Sequence, residues 1–307
     1  MTFPDMVPLA IPIFLTLLAI EVVLWRITGR GSYETRDTAA SLTMGLGNSI
    51  VGGTMVALIY GAFSAVHSIA IFDIGFQWWA FVLCFFAEDL CYYIYHRVSH
   101  ERRWFWASHV VHHSSQHYNL STGLRQSWTH FMSMGFVFWL PLMLIGFPPE
   151  MVLFFHGVSL IYQFWFHTEL IDRLGPLEWV MNTPSHHRVH HATNPQYLDS
   201  NYAGVLIIWD RLFGTFVEED RQDPPKYGIL NNLVTFNPLR IALAEWGGLI
   251  RDVRNASSIK EALTFMFGPP GWAPDGTGNT TQSIKQAWLD RQAAAQAEER
   301  PTLQAAE

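Results

Sequence analysis

Charge is what this sequence has least of. Asp, Glu, Lys and Arg make up 15% of its 307 residues, against about 25% in an ordinary soluble domain. The balance is 19 basic to 26 acidic, a net charge of -7, which argues against a nucleic-acid partner. Cysteine is almost absent, with only Cys84 and Cys91. On one helix these two would lie roughly 10 Å apart along the axis, too far for a disulfide, so both read as small buried hydrophobes. There is no internal repeat. No HExxH is present, which weakens a zinc-protease reading, and no segment reads as a fused cytochrome or other haem-binding unit.

What the chain has instead is apolar length. Half of its residues are hydrophobic, and the 13 Trp and 22 Phe suit a membrane protein with aromatic belts at the interfaces. Five apolar stretches are long enough, or nearly so, to cross a bilayer core: residues 7–25, about 40–66, 76–95, 128–147 and 151–167. The first has no basic segment before it and no small-residue cleavage site after it, so it reads as a retained span. Only PPE separates the last two, a tight turn.

Basic residues set the expected orientation. The N-terminal tip, residues 67–75 and the PPE turn contain no Lys or Arg, so all 19 fall on one side of a five-span arrangement. The expected fold is therefore all-α: an integral membrane bundle of about five spans with a cytoplasmic helical cap. Residues 96–127 and 168–307 would face the cytoplasm. The expected division is 1–75 as N-terminal spans, 76–220 as the catalytic domain and 221–307 as a cytoplasmic C-terminal region. After residue 168 the chain becomes more polar; 266–280 reads as a loop and 281–299 as a surface helix.

Histidine is the outlier, with 14 residues, four of them within the stretch SHHRVHH. The third stretch ends in DLCYYIYHRVSHE, where Asp89, Tyr93, His96 and His100 share one helix face. His96 and His100, spaced i and i+4, can reach one metal from the same side. Asp89 is ionisable inside a span, which marks it as a functional candidate; its expected role is to accept a hydrogen bond from a ligand histidine or from Tyr93. Glu88, on another face, reads as a structural partner to a neighbouring span. HVVHH supplies His109, His112 and His113; HRVHH repeats that spacing with His187, His190 and His191; YQFWFHTE supplies His167, with Gln163 one turn earlier. His67, His130 and His156 are isolated in apolar stretches and read as structural, His117 sits just beyond a cluster, and Asn182 could reach a metal through water.

Neutral imidazole without cysteine suits iron, zinc, copper or nickel. Nine histidines are too many for one ion, which takes about four ligands, and enough for two ions with open positions. Spacing alone does not separate two irons from two zincs. A membrane zinc hydrolase and a metal transporter are the rival readings, although a transporter would place its ligands near the bilayer midplane.

At these residues the sequence resembles the fatty acid hydroxylase and sterol desaturase superfamily of integral membrane, non-haem di-iron oxygenases. Its HxxxH, HxxHH and later HxxHH pattern is met by HRVSH, HVVHH and HRVHH. Longer strings, among them HHSSQHYNLSTGLRQS, YQFWFHTELIDRLGPLEW and NYAGVLIIWDRLFGTF, are most similar to the ether-lipid-cleaving branch. The resemblance implies two irons on His96, His100, His109, His112, His113, His167, His187, His190 and His191. It leaves His186 as a ligand or an outer partner and implies a catalytic role for Glu101, which follows HxxxH; from the sequence alone Glu101 reads as a partner of Arg102 or Arg103. Asp210 and Arg211 read as holding the cap together.

The implied reaction is O2-dependent hydroxylation of an unactivated lipid C–H bond. In the ether-lipid branch the carbon attacked adjoins the ether oxygen, and the hemiacetal collapses to a fatty aldehyde. The alternatives within the superfamily are fatty acid, sterol, carotenoid and aminolipid hydroxylases or desaturases. A membrane lipid is then the substrate, held in a tunnel lined by the Phe, Trp and Leu residues of the third to fifth stretches. Tetrahydrobiopterin is the electron donor that the ether-lipid branch implies. No motif reads as a pterin site, and a ferredoxin, a cytochrome or another reductase would serve the same purpose. Zinc would fill the same ligands in a purified sample.

Overall fold

A computed structural model describes residues 6–304, and among these residues the fold is all-α with no strand; two isolated bridges, Met181 to Leu206 and Ala192 to Tyr227, are the β-type pairings. Two long N-terminal helices open the chain, α1 (Met6–Thr28) and α2 (Thr35–His67). Both are long and apolar enough to cross a membrane by length and composition. Glu34 caps α2, its carboxylate accepting from Asp37 N at 2.6 Å, which satisfies an otherwise unpaired amide of the first turn.

The next helices build the site. They are α3 (Trp78–Glu101), α4 (Arg103–His113), the single turn α5 (Leu120–Gly123), α6 (His130–Ser133), α7 (Leu140–Ile145) and α8 (Pro149–Phe164). Asn119 caps α5 in a reciprocal box with Thr122, as its side-chain chemistry favours. The polar remainder forms α9 (Pro184–His190), α10 (Ile208–Phe213), α11 (Pro238–Asn255), α12 (Ile259–Phe267) and α13 (Thr281–Gln304).

Of the five apolar stretches, two form helices of membrane-spanning length and composition. Among the described residues only α1 and α2 meet the length-and-composition test. The third stretch lies in α3, which continues to Glu101 and carries Glu88, Asp89 and Arg97. The fourth is not one helix: Met134 turns left-handed at φ 56°, a 3-10 turn follows at Gly135–Trp139, and Pro141 opens α7. The fifth lies in α8, whose 16 residues extend about 24 Å, short of the roughly 30 Å bilayer core. Hydropathy sees none of these backbone breaks.

The apolar cores position the helices. Phe63, Ala80, Cys84, Tyr92, Tyr95, Trp139, Met143 and Met151 join α2, α3, α7 and α8. Ala10, Phe14, Leu18, Leu120 and Phe164 join α1 to α5 and α8. Ala40, Met44, Val111, Ile241 and Ala242 join α2, α4 and α11. Trp128 donates to the Met44 carbonyl at 2.8 Å and lies where any side chain at Gly47 would have to be, so only glycine permits this approach. Cys84 and Cys91 are free thiols, and Cys84 is buried.

Candidate metal centre

The nine histidines singled out by their spacing converge in two buried groups. His96, His100, His109, His113 and His190 form one, and His112, His167, His187 and His191 form the other; within each, the candidate ligand nitrogens lie within 4.8 Å of one another. The helical period explains the split. Residues at i and i+4 differ by about 40° around a helix, whereas i+3 lies about 60° to the other side. The i, i+4 pairs therefore stay together: His96 with His100, His109 with His113, His187 with His191. The middle histidine of each HxxHH box crosses to the other group, His112 away from α4's pair and His190 away from α9's. The groups touch where the rings of His113 and His191 stack at 4.2 Å.

Backbone carbonyls orient the rings. His96 Nδ1–H donates to the Tyr202 carbonyl at 2.7 Å, His190 Nδ1–H to Ser200 at 2.9 Å, His167 Nδ1–H to Gln163 at 2.8 Å and His112 Nδ1–H to Arg125 at 3.3 Å. A carbonyl can only accept, so each of these Nδ1 atoms carries the proton and each Nε2 presents a lone pair. His112 Nε2 and His167 Nε2 nevertheless face each other at 3.2 Å. Two lone pairs at that distance repel unless a cation lies between them. His100 Nε2 and His190 Nε2 are also buried without a hydrogen-bond partner, which is costly for a polar atom shielded from water. This donor set fits metal ions.

Burial, reinforced by neighbouring imidazoles, holds the pKa values of His109, His112, His113, His187, His190 and His191 well below 6.5. The neutral, ligating form is thus the resident one.

Asp89 is buried as expected but meets neither a histidine nor Tyr93. Its carboxylate accepts from Val205 N at 2.8 Å, Leu206 N at 3.0 Å and Trp209 Nε1 at 2.9 Å, while Tyr93 pairs with Thr215 Oγ1 at 2.9 Å. Asp210 grips the same segment from the other side, accepting from Tyr202 N and Ala203 N at 2.8 Å each; burial pushes its pKa up to about 6. Asn182 donates to the Ala203 carbonyl at 2.6 Å. Together these side chains fix the loop whose Tyr202 carbonyl holds His96. Just before it, Asp199 and Asn201 take left-handed φ values of 49° and 55°, a conformation that Asp and Asn tolerate better than most residues. Asp199 Oδ1 lies 3.3 Å from His100 Nδ1.

Other expected residues lie outside both groups. Glu101 pairs with Arg97 at 2.8 Å on a half-exposed surface. Buried His186 faces Phe216 at 5.3 Å rather than either cluster, and burial lowers its pKa to about 4. Glu88 does join a neighbouring element, accepting from Trp139 Nε1 at 3.1 Å and meeting His156 Nδ1 at 3.0 Å. His117 meets Ser32 Oγ at 2.5 Å, His130 meets the Tyr95 hydroxyl at 3.3 Å, and His67 ends α2.

Sequence reasoning missed three supports. Arg125, whose carbonyl holds His112, is fully buried; its guanidinium meets Asp37 Oδ1 of α2 at 2.8 Å and Ser114 Oγ at 3.0 Å. Glu21 of α1 is buried and accepts from Tyr33, from Thr168 beside His167, and from Leu120 N at 2.7 Å. Its signal was a lone acid within an apolar span. Tyr118 packs against His191 at 5.2 Å and stacks on Tyr227 at 4.8 Å, but nothing local in the sequence distinguishes that contact from core packing.

Residues 81–215, the segment that carries all nine histidines, match the family model described as fatty acid hydroxylase. Relatives of the chain include the alkylglycerol monooxygenase of Danio rerio, 39% identical over 277 residues, covering 88% of this chain and 60% of that protein. The alkylglycerol monooxygenase of Homo sapiens is 36% identical over 279 residues, covering 88% and 61%. The ornithine lipid hydroxylase OlsE of Rhizobium tropici is 33% identical over 141 residues, covering 45% and 41%. The chain thus spans about three-fifths of the length of the alkylglycerol monooxygenases named here. No solved structure matches.

Proposed function

We propose that the protein is a membrane-bound, non-haem di-iron monooxygenase that hydroxylates a lipid C–H bond with O2, and that its substrate is an alkylglycerol ether lipid. The facing, unprotonated Nε2 atoms of His112 and His167 carry the metal part of this reading. The alkylglycerol monooxygenase relatives support the substrate class. His96, His100, His109, His113 and His190 hold one ion, and His112, His167, His187 and His191 the other.

A bound iron pair supplies the O2 chemistry that attacks an unactivated C–H bond. This chain's own residues orient the imidazoles and exclude water. Tyr202, Ser200, Gln163 and Arg125 fix the ring tautomers through their carbonyls. Tyr92 and Tyr95 lie one turn or less before His96, beside Trp139, and offer an apolar wall along which an alkyl chain reaches the site. Hydroxylation next to the ether oxygen gives a hemiacetal that collapses to a fatty aldehyde and a glycerol derivative. Tetrahydrobiopterin is the proposed electron donor, with a reductase in its place if the pterin fails.

The same reading places the histidines at the cytoplasmic membrane boundary. In it, 1–75 are N-terminal spans, 76–220 the catalytic domain and 221–307 a cytoplasmic region. The third to fifth apolar stretches complete a five-span arrangement as packed or re-entrant segments. Hydroxylation of another lipid is the second reading, favoured by the relative named as an ornithine lipid hydroxylase.

The test is an aerobic-versus-anaerobic assay on iron-loaded membranes with a lipid panel, an alkylglycerol among them, and added tetrahydrobiopterin. Metal content is counted in parallel. Oxygen-dependent fatty aldehyde from the alkylglycerol is the expected result. Oxygen-dependent hydroxylation of a different lipid would replace the substrate, and turnover without O2 on a zinc-loaded protein would overturn the monooxygenase reading.

A further inference from the structure

Helix α11 has an outward face that the site does not use. Ile241, Ala242, Trp246 and Leu249 are buried against α2 and α4. At about 100° per residue, Leu239, Leu243 and Ile250 fall within about 40° of one another on the flank, and all three are about half exposed or more, at 60%, 49% and 54%. Arg240, Arg251 and Arg254 occupy roughly the next 60°. Among the described residues these three form no ion pair. The helix's acids are turned away: Glu245 and Asp252 both bind Arg103 at 2.7 Å. Beside the stripe a groove of about 320 Å³ is lined by Gly247, Ile250, Arg251, Arg254 and Asn255.

The chain entering α11 continues this surface. Leu233 packs beside Met44 of α2, while the adjacent Val234 is fully exposed and Phe236 and Leu230 are nearly half exposed. Met44 is buried where this loop meets α2, whereas Leu46 and Ile50, well around the helix from it, face outward. The exposed apolar loop therefore lies beside a helix long and apolar enough to cross a membrane. An apolar stripe bordered by unpaired arginines is the composition of a helix that lies in a membrane interface. The positive border is notable in a chain with net charge -7.

We propose that residues 230–254 form an interfacial anchor on an anionic lipid surface. Val234, Phe236, Leu239, Leu243 and Ile250 enter the acyl boundary, and Arg251 and Arg254 receive a lipid phosphate in the groove. Because α11 packs on α4, which carries His109, His112 and His113, the anchor holds the metal-bearing helix at a fixed height above the bilayer. This rests on the membrane reading given above.

The experiment uses the full chain in lipid nanodiscs, in a Cys84→Ala, Cys91→Ala background. A single bimane label is placed at Leu46→Cys, Val234→Cys, Leu243→Cys or exposed Gln282→Cys. Quenching by doxyl-labelled lipid at 234 and 243 is expected to match that at 46 and to exceed that at 282 several-fold, with iodide giving the reverse order. Quenching at 234 and 243 like that at 282, with 46 still lipid-quenched, overturns the anchor while leaving the membrane reading intact. Loss of lipid quenching at 46 would instead overturn the membrane reading. Adding phosphatidylglycerol to phosphatidylcholine discs should raise the lipid-quenched fraction at 243, and Arg251→Gln with Arg254→Gln should remove that rise, about fivefold per arginine. No change between the two lipid compositions would overturn the phosphate contact.

Discussion

The two histidine groups lie in contact but are held by different parts of the molecule. The hydrogen bonds that orient the five-histidine group come from within residues 81–215, through the loop that Asp89, Asp210 and Asn182 fasten from three sides, although α4 itself packs on α2 and α11. The four-histidine group reaches outward for support. His112 leans on a carbonyl of Arg125, whose guanidinium is locked to Asp37 of α2, and His167 is followed by Thr168, which donates to Glu21 of α1. One group is thus oriented by hydrogen bonds within the matched segment, and the other is braced by hydrogen bonds to the two membrane-type helices.

The sharpest way to break this contrast is to delete a ligand. His112→Ala leaves three imidazoles in its group, whereas His113→Ala leaves four in the other. Metal analysis should show the loss of about one ion per chain in the first variant and a smaller loss in the second. The proposed aldehyde formation should fall at least about 100-fold in His112→Ala, beyond what outer partners usually cost. Full activity in either variant would remove that residue from the ligand set.

Next comes the brace itself. Arg125→Met strands a buried carboxylate at Asp37 and should destabilise the fold by about 3–5 kcal/mol, with much of that recovered in a double variant with Asp37→Leu. Chemical denaturation in detergent reads both, and equal stability of Arg125→Met and the native chain would refute the brace.

Asp89→Asn and Glu21→Gln then form a matched pair. Each should weaken metal binding about 10-fold to 100-fold, Asp89→Asn at the five-histidine group and Glu21→Gln at the four-histidine group. Iron titration with a site-resolved spectroscopic signal separates them. Identical losses at both groups would erase the asymmetry.

A pH effect of intermediate size should appear in metal-free protein. The six histidines of α4 and its neighbour box have folded pKa values lowered below 6.5 by burial. Above 6.5 both states are neutral; below it the unfolded chain takes up protons first. Stability is therefore present above about pH 6.5 and lost as pH falls. Thermal unfolding at pH 7.5 and 5.5 measures it, and a flat profile would show the imidazoles to be hydrated.

The smallest effects belong to residues outside both groups. Glu101→Gln breaks a half-exposed pair with Arg97 and should cost about 1 kcal/mol or less, with metal content unchanged. A large loss of turnover there would restore the catalytic role that family resemblance implies. His67→Ala, at the far end of α2, should be silent in the same assay.

Much of this centre is legible from spacing, because i, i+4 geometry is local. His96 with His100 and His109 with His113 need no tertiary information to share a face. The exchange of His112 and His190 between groups follows from the same angles but becomes visible only when α4 and α9 are seen to face each other. Asp89 was recognisable as a buried acid, yet its partners Val205 and Leu206 lie more than 100 residues away in sequence, so a nearer histidine was the expected contact. Arg125 counts in the sequence only as one of the 19 basic residues that set the orientation, because nothing local announces Asp37. The fourth stretch misled for a different reason: composition records apolarity but not the left-handed turn at Met134 that divides it.

The buried pair of Arg125 and Asp37 also bears on how portable this histidine-bearing unit is. The family match runs from 81 to 215, a tempting set of limits for recombinant expression or for grafting onto another anchor. Such a piece would carry Arg125 without its counter-ion, and it would leave Leu120 N and Thr168 without the carboxylate of Glu21. The matched segment is therefore not an autonomous one: its folding unit includes the first helix, and a chimera should carry residues 81–215 together with α1 and α2.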